Sequence, residues 1–459
     1  MYVTAKTTAV ILAAGIGKRM QSQRAKVLHE VGGKPMVCHV VDAVRRAAVD
    51  RIIIVAGHQY HQVQATLGNE VEYVLQEEQL GTGHAVLQAA PLLVGEEGTV
   101  LVLNGDIPLL TGEEVTSLLE EHNGGRLAAS VLSARVDDPA GYGRIVRDEV
   151  GELWGIVEDK DADTAQLAIN EINVGVYCFD GASLWEELTL LDRQNEQGEY
   201  YLTDVVANFR AKARPVGATA ARDPQVAKGV NNRVQLAEIA CIMQEREVNR
   251  LLEAGVTVIS PQTTFVECGV EVGQDTVIWP MTFLKGNSRI GNGCEVGPNT
   301  TIRGTHVGDN CRIHYSVVEE GQLGDGVTVG PFAHLRPGCH LEDGVRVGNF
   351  AEVKNSRIGA GSKVSHHSYI GDSEIASQVN IGAGTVTVNY DGREKYRTYI
   401  EEGAFIGCNA NLLAPVRIGR GAYVAAGSTV GDDVPAEALA IARQRQTNKE
   451  NWVKGKQRG

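Results

Sequence analysis

Side chains suited to proton transfer and anion binding are regularly spaced in the C-terminal half of the chain. Arg336 and Lys354 are 18 residues apart, and Lys395 adds a third cation inside the segment 388–399. Three cations can hold a phosphate group, and His366 can accept a proton because the pKa of histidine lies near neutral pH. Any one of these residues could instead be an ordinary surface side chain. The spacing favours a site if 18 residues complete one turn of the fold.

A six-residue repeat supplies such a turn. From about Val266 to Val430 an aliphatic residue recurs every six positions, which fits neither an amphipathic helix nor an alternating strand. Three hexads can form the three sides of one coil, and stacked coils pair as parallel strands about 4.8 Å apart. The repeat predicts a parallel β-helix in which Arg336 and Lys354 share a face and the insert 388–399 loops out from a corner. The repeating residues are Val266, Val272, Ile278, Leu284, Ile290, Val296, Ile302, Leu323, Val329, Leu335, Leu341, Val347, Val353, Ile406, Leu412, Ile418, Val424 and Val430.

A loop in the N-terminal half could bind phosphates. Gly15 and Gly17 follow an apolar run and precede Lys18 and Arg19. Glycine lets the backbone approach a ligand, and free amides together with the two cations could cradle phosphate oxygens. The loop lacks the third glycine of the dinucleotide fingerprint and the Lys-Ser/Thr ending of a P-loop. A plain strand-to-helix turn therefore stays open as the alternative.

Asp106 ends a second apolar run, at 101–106. Mg²⁺ commonly takes one or two protein carboxylates together with substrate phosphates, so this position predicts a metal ligand. The alternative is an aspartate that caps the next helix or turn. Lys26 could add a cation to the same site, or it could be a solvated surface lysine.

Alternating strands and helices must position these N-terminal residues. Such an alternation predicts a mostly parallel sheet that is covered on both faces and binds ligands at the carboxyl ends of its strands. A segment without Gly or Pro at 234–254 predicts a linking helix, and the six-residue rhythm begins after it. The predicted strands are 8–13, 51–56, 71–75 and 99–103, and the predicted helices include 35–48 and 83–91.

Composition limits the classes of protein that the chain can belong to. A length of 459 residues exceeds what a single core usually supports. No apolar run reaches the roughly 20 residues of a membrane span, and no signal peptide precedes the first strand. The eight cysteines form no Cys-x-x-Cys pair, and the net charge of −14 argues against a nucleic-acid-binding surface. We therefore expect two domains, a cytoplasmic location, and neither membrane nor nucleic acid as a partner.

Ordered motifs along the chain resemble known families. The motifs are the glycine loop, Lys26-Val-Leu-His29, Gln79-Leu-Gly81-Thr82-Gly83-His84-Ala85, Asn104-Gly105-Asp106, Gly141-Tyr-Gly143-Arg144-Ile145, Glu158-Asp-Lys160, Glu171-Ile-Asn173 and Gly229-Val-Asn231-Asn232-Arg233. With these motifs, the first half resembles the sugar-1-phosphate nucleotidylyltransferases. Together with the β-helix, essentially all of the chain resembles the bacterial bifunctional N-acetylglucosamine-1-phosphate uridylyltransferase/glucosamine-1-phosphate N-acetyltransferase family.

The resemblance implies an architecture and two activities. It implies an α/β nucleotidyltransferase domain (Rossmann-like, mostly parallel sheet) at 1–232, a linker helix at 233–255 and a left-handed parallel β-helix domain at 256–459. It also implies acetyl transfer from acetyl-CoA to glucosamine 1-phosphate, and then Mg²⁺-dependent transfer of UMP from UTP to N-acetylglucosamine 1-phosphate. The resemblance further implies that the product feeds peptidoglycan and lipopolysaccharide precursors, and that the chain forms a homotrimer with its acetyltransferase sites between β-helices.

Site residues of the first domain follow from the same resemblance. The metal ligands map onto Asp106 and Asn231. Lys18 and Ala25 stand where the family usually has Thr and Pro, so the chain departs from the family pattern near the triphosphate contacts. The residues implied to bind UTP or the UDP-sugar are Leu12, Ala13, Gly15, Arg19, Lys26, Gln76, Gly81, Thr82, Gly143, Glu158, Asn173 and Asn231.

In the β-helix the resemblance implies that His366 is the catalytic base. His367 is adjacent, and in extended backbone the two side chains point to opposite faces, so only one can serve. Cys408 stands where the family usually has Ser, and a thiol is the weaker hydrogen-bond donor. The residues implied to bind the sugar phosphate are Arg336, Lys354, Tyr369, Asn380 and Lys395. Those implied to bind acetyl-CoA are Ala383, Asn389, Tyr390, Cys408, Ala426 and Arg443.

Two other functions compete with this one. The chain could be a nucleotidylyltransferase whose β-helix is purely structural or regulatory, or it could be a non-catalytic scaffold or sensor. The segment 366–369 and the insert disfavour the first alternative, because a structural solenoid needs neither. Asp106 with Lys26 and Asn231 disfavours the second.

Overall fold

The computed structural model describes residues 6–456 and divides the chain into two compact units, Met1–Met243 and Gln244–Gly459. The helix predicted at 234–254 is confirmed and runs from Arg233 to Glu253 across this division. The domain boundaries at 232 and 255 stay a prediction. No helix among residues 6–456 is long and apolar enough to cross a membrane.

The first unit is built on a nine-stranded mixed sheet with the main strand order β11-β7-β10-β6-β1-β4-β5. Its strands are β1 Thr7–Ala13, β4 Arg51–Ala56, β5 Glu72–Leu75, β6 Thr99–Asn104, β7 Ala129–Arg135, β8 Arg144–Arg147, β9 Leu153–Val157, β10 Glu171–Asp180 and β11 Val216–Ala220, with a separate hairpin of β2 Glu30–Val31 and β3 Lys34–Pro35. Its helices are α1 Met36–Arg46, α2 Tyr60–Leu67, α3 Thr82–Leu87, α4 Ala90–Leu93, α5 Gly112–Gly125, α6 Thr164–Leu167, α7 Gly181–Thr189 and α8 Asp204–Ala211, followed by α9 Arg233–Glu253. Short 3₁₀ turns lie at Lys18–Met20, Lys26–Leu28 and Pro224–Ala227.

Helices cover both faces of this sheet, as the apolar runs predict. Along β1, Ala9 and Ile11 pack into one buried cluster while Val10, between them, packs into another. A strand buried on both faces has no polar side, so it reads as a continuous apolar run. The prediction of a Rossmann-like sheet is confirmed, but the runs did not indicate its antiparallel pairings: β10 is antiparallel to β6, β7 and β8, and β8 is antiparallel to β9.

The second unit is a left-handed parallel β-helix with three sheets, one for each side of the coil. The first sheet contains Thr257–Val258, Val277–Ile278, Glu295–Val296, Arg312–Ile313, Thr328–Val329, Arg346–Asn349, Lys363–His366, Asn380–Ile381, Phe405–Ile406, Tyr423–Val424 and Leu439–Ala440. The second contains Phe265–Val266, Phe283–Lys285, Thr301–Arg303, Val317–Glu319, His334–Leu335, Glu352–Lys354, Tyr369–Gly371, Val386–Val388, Asn411–Leu413 and Thr429–Val430. The third contains Glu271–Val272, Arg289–Ile290, His306–Val307, Gln322–Leu323, His340–Leu341, Arg357–Ile358, Ser373–Ile375, Thr398–Ile400 and Val416–Ile418. A 3₁₀ turn at Pro261–Thr263 and the helix α10 Trp452–Lys456 complete the unit.

The six-residue repeat lines the interior of the β-helix. Residues such as Leu284, Val296 and Val353 are fully buried in one continuous core. The small and acidic residues that follow them form a ladder along one corner. A Cβ on Gly291 would lie 2.3 Å from Asp309 Oδ1, and that same oxygen accepts a hydrogen bond of 2.7 Å from the next backbone N–H. The repeat therefore encodes both the core and the corner.

Candidate active sites

Residues of the first predicted site lie at one edge of the mixed sheet. Leu12 and Ala13 end β1, Gln76 follows β5 and Asp106 follows β6, so all lie at the carboxyl ends of parallel strands. Because β10 runs the other way, its early residue Asn173 lies at this same edge. The edge is where ligands of α/β sheets bind.

A three-residue cluster lies at the centre of this edge. The Lys26 ammonium group is 2.5 Å from Asp106 Oδ2 and 2.8 Å from Asn231 Oδ1. The Lys26 side chain is only 13% exposed and that of Asp106 21%, so the charges are partly shielded from water. The loop of Asn231 is held there because the Val230 N–H donates to the Asp106 carbonyl at 3.0 Å. Two oxygen ligands therefore converge on one cation position.

The glycine loop packs directly against this cluster. Gly17 has a left-handed backbone with φ of 66°, and a Cβ there would lie 2.8 Å from the Cβ of Lys26. Only glycine accommodates both the dihedral angle and the close contact. Gly15 is exposed beside it, and Arg19 is exposed in the 3₁₀ turn Lys18–Met20. The backbone of the glycine loop is thus open next to Lys26, and the exposed cation of Arg19 follows it in the chain.

Gln76, Gly81 and Thr82 form the adjoining part of the edge. Gln76 is buried, and its amide donates to the Gly81 carbonyl at 3.3 Å. Thr82 begins α3, and its hydroxyl oxygen accepts a hydrogen bond of 3.1 Å from the Leu202 N–H. A Cβ on Gly81 would lie 2.6 Å from the Tyr200 carbonyl oxygen, so this position requires glycine.

Gly143, Glu158 and Asn173 form a second small cluster. The Asn173 N–H donates to the Gly143 carbonyl at 2.9 Å, and a Cβ on Gly143 would lie 3.5 Å from Glu158 Oε2. Burial raises the pKa of Glu158, whose Oε1 accepts a hydrogen bond of 3.2 Å from the Thr203 hydroxyl. The three predicted sugar contacts are therefore neighbours.

The cations of the second predicted site are neighbours in the β-helix. Leu335 pairs with Val353, so Arg336 lies directly beside Lys354, as the 18-residue spacing predicts. The insert leaves the coil after Val388 and returns at Thr398, and it brings Lys395 close to Lys354. The Lys395 ammonium group lowers the pKa of Lys354. Two neighbouring ammonium groups attract an anion strongly.

Tyr369 and Asn389 lie next to these cations. A Cβ on Gly371 would lie 2.5 Å from the Tyr369 hydroxyl oxygen and 2.8 Å from Asn389 Nδ2, so both side chains reach the same small area. Asn389 donates to Asp372 Oδ2 at 2.5 Å. Burial alone would raise the pKa of Asp372, but hydrogen bonds from Asn355 and Asn389 outweigh it and lower that pKa. Tyr390 is exposed in the insert, and Asn380 pairs with Lys363 one coil earlier.

His366 ends the strand Lys363–His366 and is exposed at a corner. Its Nδ1 is 2.6 Å from Asn349 Oδ1, one coil earlier. The expectation that His367 continues in extended backbone is wrong, because His367 has a left-handed φ of 42° and forms the corner itself. The two rings still differ in position, since only His366 belongs to the strand.

Four of the six predicted acetyl-CoA residues form one column with His366. The Gly384 N–H donates to the His367 carbonyl, the Asn409 N–H to that of Ala383 and the Gly427 N–H to that of Cys408, so each coil places its residue beside the last. Arg443 lies beyond Ala426, against Gly427. Four coil steps of about 4.8 Å make the column about 19 Å long. Its members are His366, Ala383, Cys408, Ala426 and Arg443.

Four residues that contact these sites were not predicted from the sequence. Thr203 donates to Glu158, and Glu352 accepts from Arg336 at 2.8 Å. Asp372 and Asn349 contact Asn389 and His366. Coil spacing was a signal for Asn349, which precedes His366 by 17 residues; no local pattern indicated Thr203. No group of three or more His, Cys, Asp or Glu residues that could hold a metal occurs between residues 6 and 456.

Comparison with known proteins agrees with both halves of this architecture. Residues 9–167 match the family described as the MobA-like NTP transferase domain. Residues 269–304, 320–355 and 397–432 match the bacterial transferase hexapeptide repeat. An α/β nucleotidyltransferase domain followed by a hexapeptide-repeat β-helix is the class of transferase that the fold and the two sites define.

Similar chains cover this one from end to end. The "Bifunctional protein GlmU" of Geobacillus sp. (strain WCH70) is 52% identical over 448 residues, 98% of each chain. That of Heliobacterium modesticaldum is 50% identical over 454 residues, 99% of each chain, and that of Bacillus velezensis 49% identical over 449 residues, 98% of each. The chain belongs to this family, the bifunctional N-acetylglucosamine-1-phosphate uridylyltransferases/glucosamine-1-phosphate N-acetyltransferases, and is an enzyme with both activities.

Proposed function

We propose that uridylyl transfer takes place at the sheet edge that carries Lys26, Asp106 and Asn231. A phosphate oxygen of N-acetylglucosamine 1-phosphate attacks the α-phosphorus of UTP, and the bond to the departing pyrophosphate breaks. The attacking oxygen is already ionised, so the protein has to align the reactants and neutralise charge rather than remove a proton. The assignment rests on two oxygens, Asp106 Oδ2 and Asn231 Oδ1, which converge on one cation position.

Mg²⁺ fits this position. One carboxylate from Asp106 and one amide oxygen from Asn231 leave most of the coordination sphere to water and phosphate oxygens, as Mg²⁺ prefers. When bound, the ion would neutralise charge on the reacting phosphates. Lys26 and Arg19 would bind the triphosphate, while Gly143, Glu158 and Asn173 would hold the sugar.

We propose the remaining contacts of UTP from the same edge. Leu12, Ala13, Gly15, Gln76, Gly81 and Thr82 would surround the uridine and its phosphates. Buried Gln76 and the tight turn at Gly81 present fixed hydrogen-bonding groups, which suits recognition of a flat base.

For acetyl transfer we propose that His366 is the general base. A sugar amine is largely protonated at neutral pH, and it must lose its proton to attack the thioester carbonyl; the C–S bond then breaks and CoA leaves as its thiol. Arg336, Lys354, Tyr369, Asn380 and Lys395 would bind the sugar phosphate.

Acetyl-CoA would lie along the column of small residues. Ala383, Cys408 and Ala426 leave room beside the β-helix, and Arg443 at the far end can bind a CoA phosphate. A length of about 19 Å suits an extended pantetheine arm whose thioester reaches His366. Asn389 and Tyr390, from the insert, would cover the thioester end.

We further propose a cytoplasmic homotrimer whose acetyltransferase sites lie between β-helices. Tyr315, Phe332 and Phe350 form an exposed stack along one corner, with ring centroids 5.7 and 5.4 Å apart. Exposed aromatic stripes are typical of protein interfaces. His367 continues this corner in the next coil, so a second β-helix on the stripe would adjoin His366.

Two substitutions assayed for both reactions test the assignment. His366→Ala should lower CoA release from acetyl-CoA and glucosamine 1-phosphate by about 100-fold or more, as expected for loss of a general base, and leave pyrophosphate release unchanged. Asp106→Ala should do the reverse. Acetyl transfer at the native rate in His366→Ala, or Mg²⁺-dependent uridylyl transfer at the native rate in Asp106→Ala, would refute the respective site.

A further inference from the structure

A hydrogen bond between two successive coils determines which nitrogen of His366 is free. Asn349 ends the strand Arg346–Asn349 and pairs in register with His366. The distance from Asn349 Oδ1 to His366 Nδ1 is 2.6 Å. An amide oxygen can only accept, so Nδ1 must carry the proton, and the lone pair of the neutral ring is then on Nε2.

The backbone holds both side chains in matching positions. Phe350 and His367, the residues that follow them, both have left-handed backbone with φ of 57° and 42°. The His367 N–H donates to the Asn349 carbonyl at 2.9 Å, and the Ser368 hydroxyl donates to the His366 carbonyl at 2.8 Å. The backbone therefore fixes the starting point of the His366 side chain directly beside the amide of Asn349.

Asn349 is the polar neighbour of the His366 ring along the stack. The preceding coil places Asn349 beside His366, and the following coil places Ala383 beside it. In these described coils, therefore, no charged side chain stacks on the His366 ring. The chain neighbours are Ser365 and His367. A neutral amide orients the imidazole without adding the charge that would keep it protonated.

We propose that Asn349 is a positioning residue for acetyl transfer, which holds His366 in the tautomer whose Nε2 accepts the proton of the sugar amine. This inference rests on the proposed role of His366 as the base. Exposed imidazoles otherwise exchange between tautomers and rotate, so an oriented ring raises the fraction of competent enzyme. We expect the effect to fall on turnover, because the side chain of Asn349 contacts the base.

Two variants of Asn349 separate positioning from packing. Asn349→Leu keeps the size of the side chain but removes the acceptor, and kcat of acetyl transfer should fall about 10- to 100-fold with both KM values within about twofold. Asn349→Asp keeps the acceptor and should restore much of kcat. Its added charge should move the acidic limb of the pH–rate profile up by about one pH unit, because an adjacent carboxylate favours the protonated ring.

Gln322 supplies a matched control. Its Oε1 lies 3.1 Å from His340 Nδ1, also one coil away, in the third sheet. Gln322→Leu should leave both activities unchanged. Uridylyl transfer should be unchanged in every variant, which shows that the α/β unit is folded, and unchanged KM values for acetyl transfer show that the β-helix is. The ¹⁵N shifts of labelled histidine should report the Nδ1–H tautomer of His366 in the native chain and its loss in Asn349→Leu.

The results distinguish the positioning role of Asn349 from the role of His366 as the base. Full acetyltransferase turnover in Asn349→Leu, together with an inactive His366→Ala, would overturn the positioning role and leave the base in place. Acetyl transfer that survives in His366→Ala would overturn both. A loss in Asn349→Leu that Asn349→Asp does not restore, with no change in the tautomer, would indicate packing and also overturn the positioning role.

Discussion

The two sites hold their charges in opposite ways. In the α/β unit, Lys26 lies between the oxygens of Asp106 and Asn231, so its cation is already paired. In the β-helix, Lys354 and Lys395 lie against each other, and no ion pair joins either to a carboxylate within residues 6–456. The second site thus presents two ammonium groups that can bind an anion directly, while Arg336 beside them is paired with Glu352. The first must exchange partners before its lysine can bind a phosphate.

The units also differ in where they hold histidine. His29, His39 and His122 are buried in the α/β unit, and burial lowers the pKa of each. Every histidine between residues 244 and 456 is at least partly exposed. A coil whose interior is filled by aliphatic residues and cysteines has no place for a buried ring, whereas helices packed on a sheet do.

Replacement of Lys26 is the strongest test of the charge difference. Lys26→Met should lower uridylyl transfer by about 100-fold or more, because one preorganised cation is lost from the phosphates. The affinity of the nucleotide-free protein for Mg²⁺ should rise, since the ammonium group no longer competes for Asp106. Titration calorimetry with Mg²⁺ alone measures this. Lys34→Met, which breaks the 2.5 Å pair with Asp42, is the matched control. Weaker Mg²⁺ binding in Lys26→Met would contradict competition at this position.

Acid should destabilise the α/β unit more than the β-helix. Burial lowers the pKa of His122 from 6.5 to about 4, so the unfolded chain takes up this proton before the folded chain does. The contribution of His122 is therefore fully present above pH 6.5 and is lost as the pH falls towards 4, by up to about 3 kcal/mol. Hydrogen exchange at pH 7 and pH 5 should show weakened protection in the α/β unit and much less change in the β-helix.

His122→Gln isolates this histidine from the other two. Glutamine can still hydrogen-bond to Ser130, which lies 2.9 Å from His122 Nδ1, but it does not titrate. The loss of protection between pH 7 and pH 5 should shrink in this variant, while His340→Gln in the β-helix should change nothing. The same acid sensitivity in His122→Gln as in the native chain would assign it to other groups.

Spacing along the sequence predicts contacts in the β-helix site but not in the sheet-edge site, and the reason is physical. In a β-helix, distance along the chain converts directly into position, so a spacing of 18 residues predicts that Arg336 lies beside Lys354. Lys26 and Asn231 are 205 residues apart, and no local period relates them. Their meeting depends on which strands pair across the sheet. Only the order of motifs shared with a known family indicated it.

Local sequence patterns also did not indicate the direction of β10 or the backbone conformation at the His367 corner. The apolar run of β10 reads the same whether its neighbours are parallel or antiparallel, because both arrangements bury the same residues. At His367, the stacked corner imposes a left-handed backbone on a residue that local propensity would leave extended. Both features arise from contacts between distant parts of the chain.

The smallest expected effect concerns Cys408, in the acetyl-CoA column. Cys408→Ser should lower KM for acetyl-CoA by about two- to threefold, because a hydroxyl is a better hydrogen-bond donor than a thiol and the net gain of one bond is about 1 kcal/mol or less. Stability should not change, since the side chain is exposed. Cys241→Ser, at another exposed thiol on α9, is the matched control. A higher KM in Cys408→Ser would show that this column has adapted to sulfur, so that its small residues do more than leave room for the CoA arm.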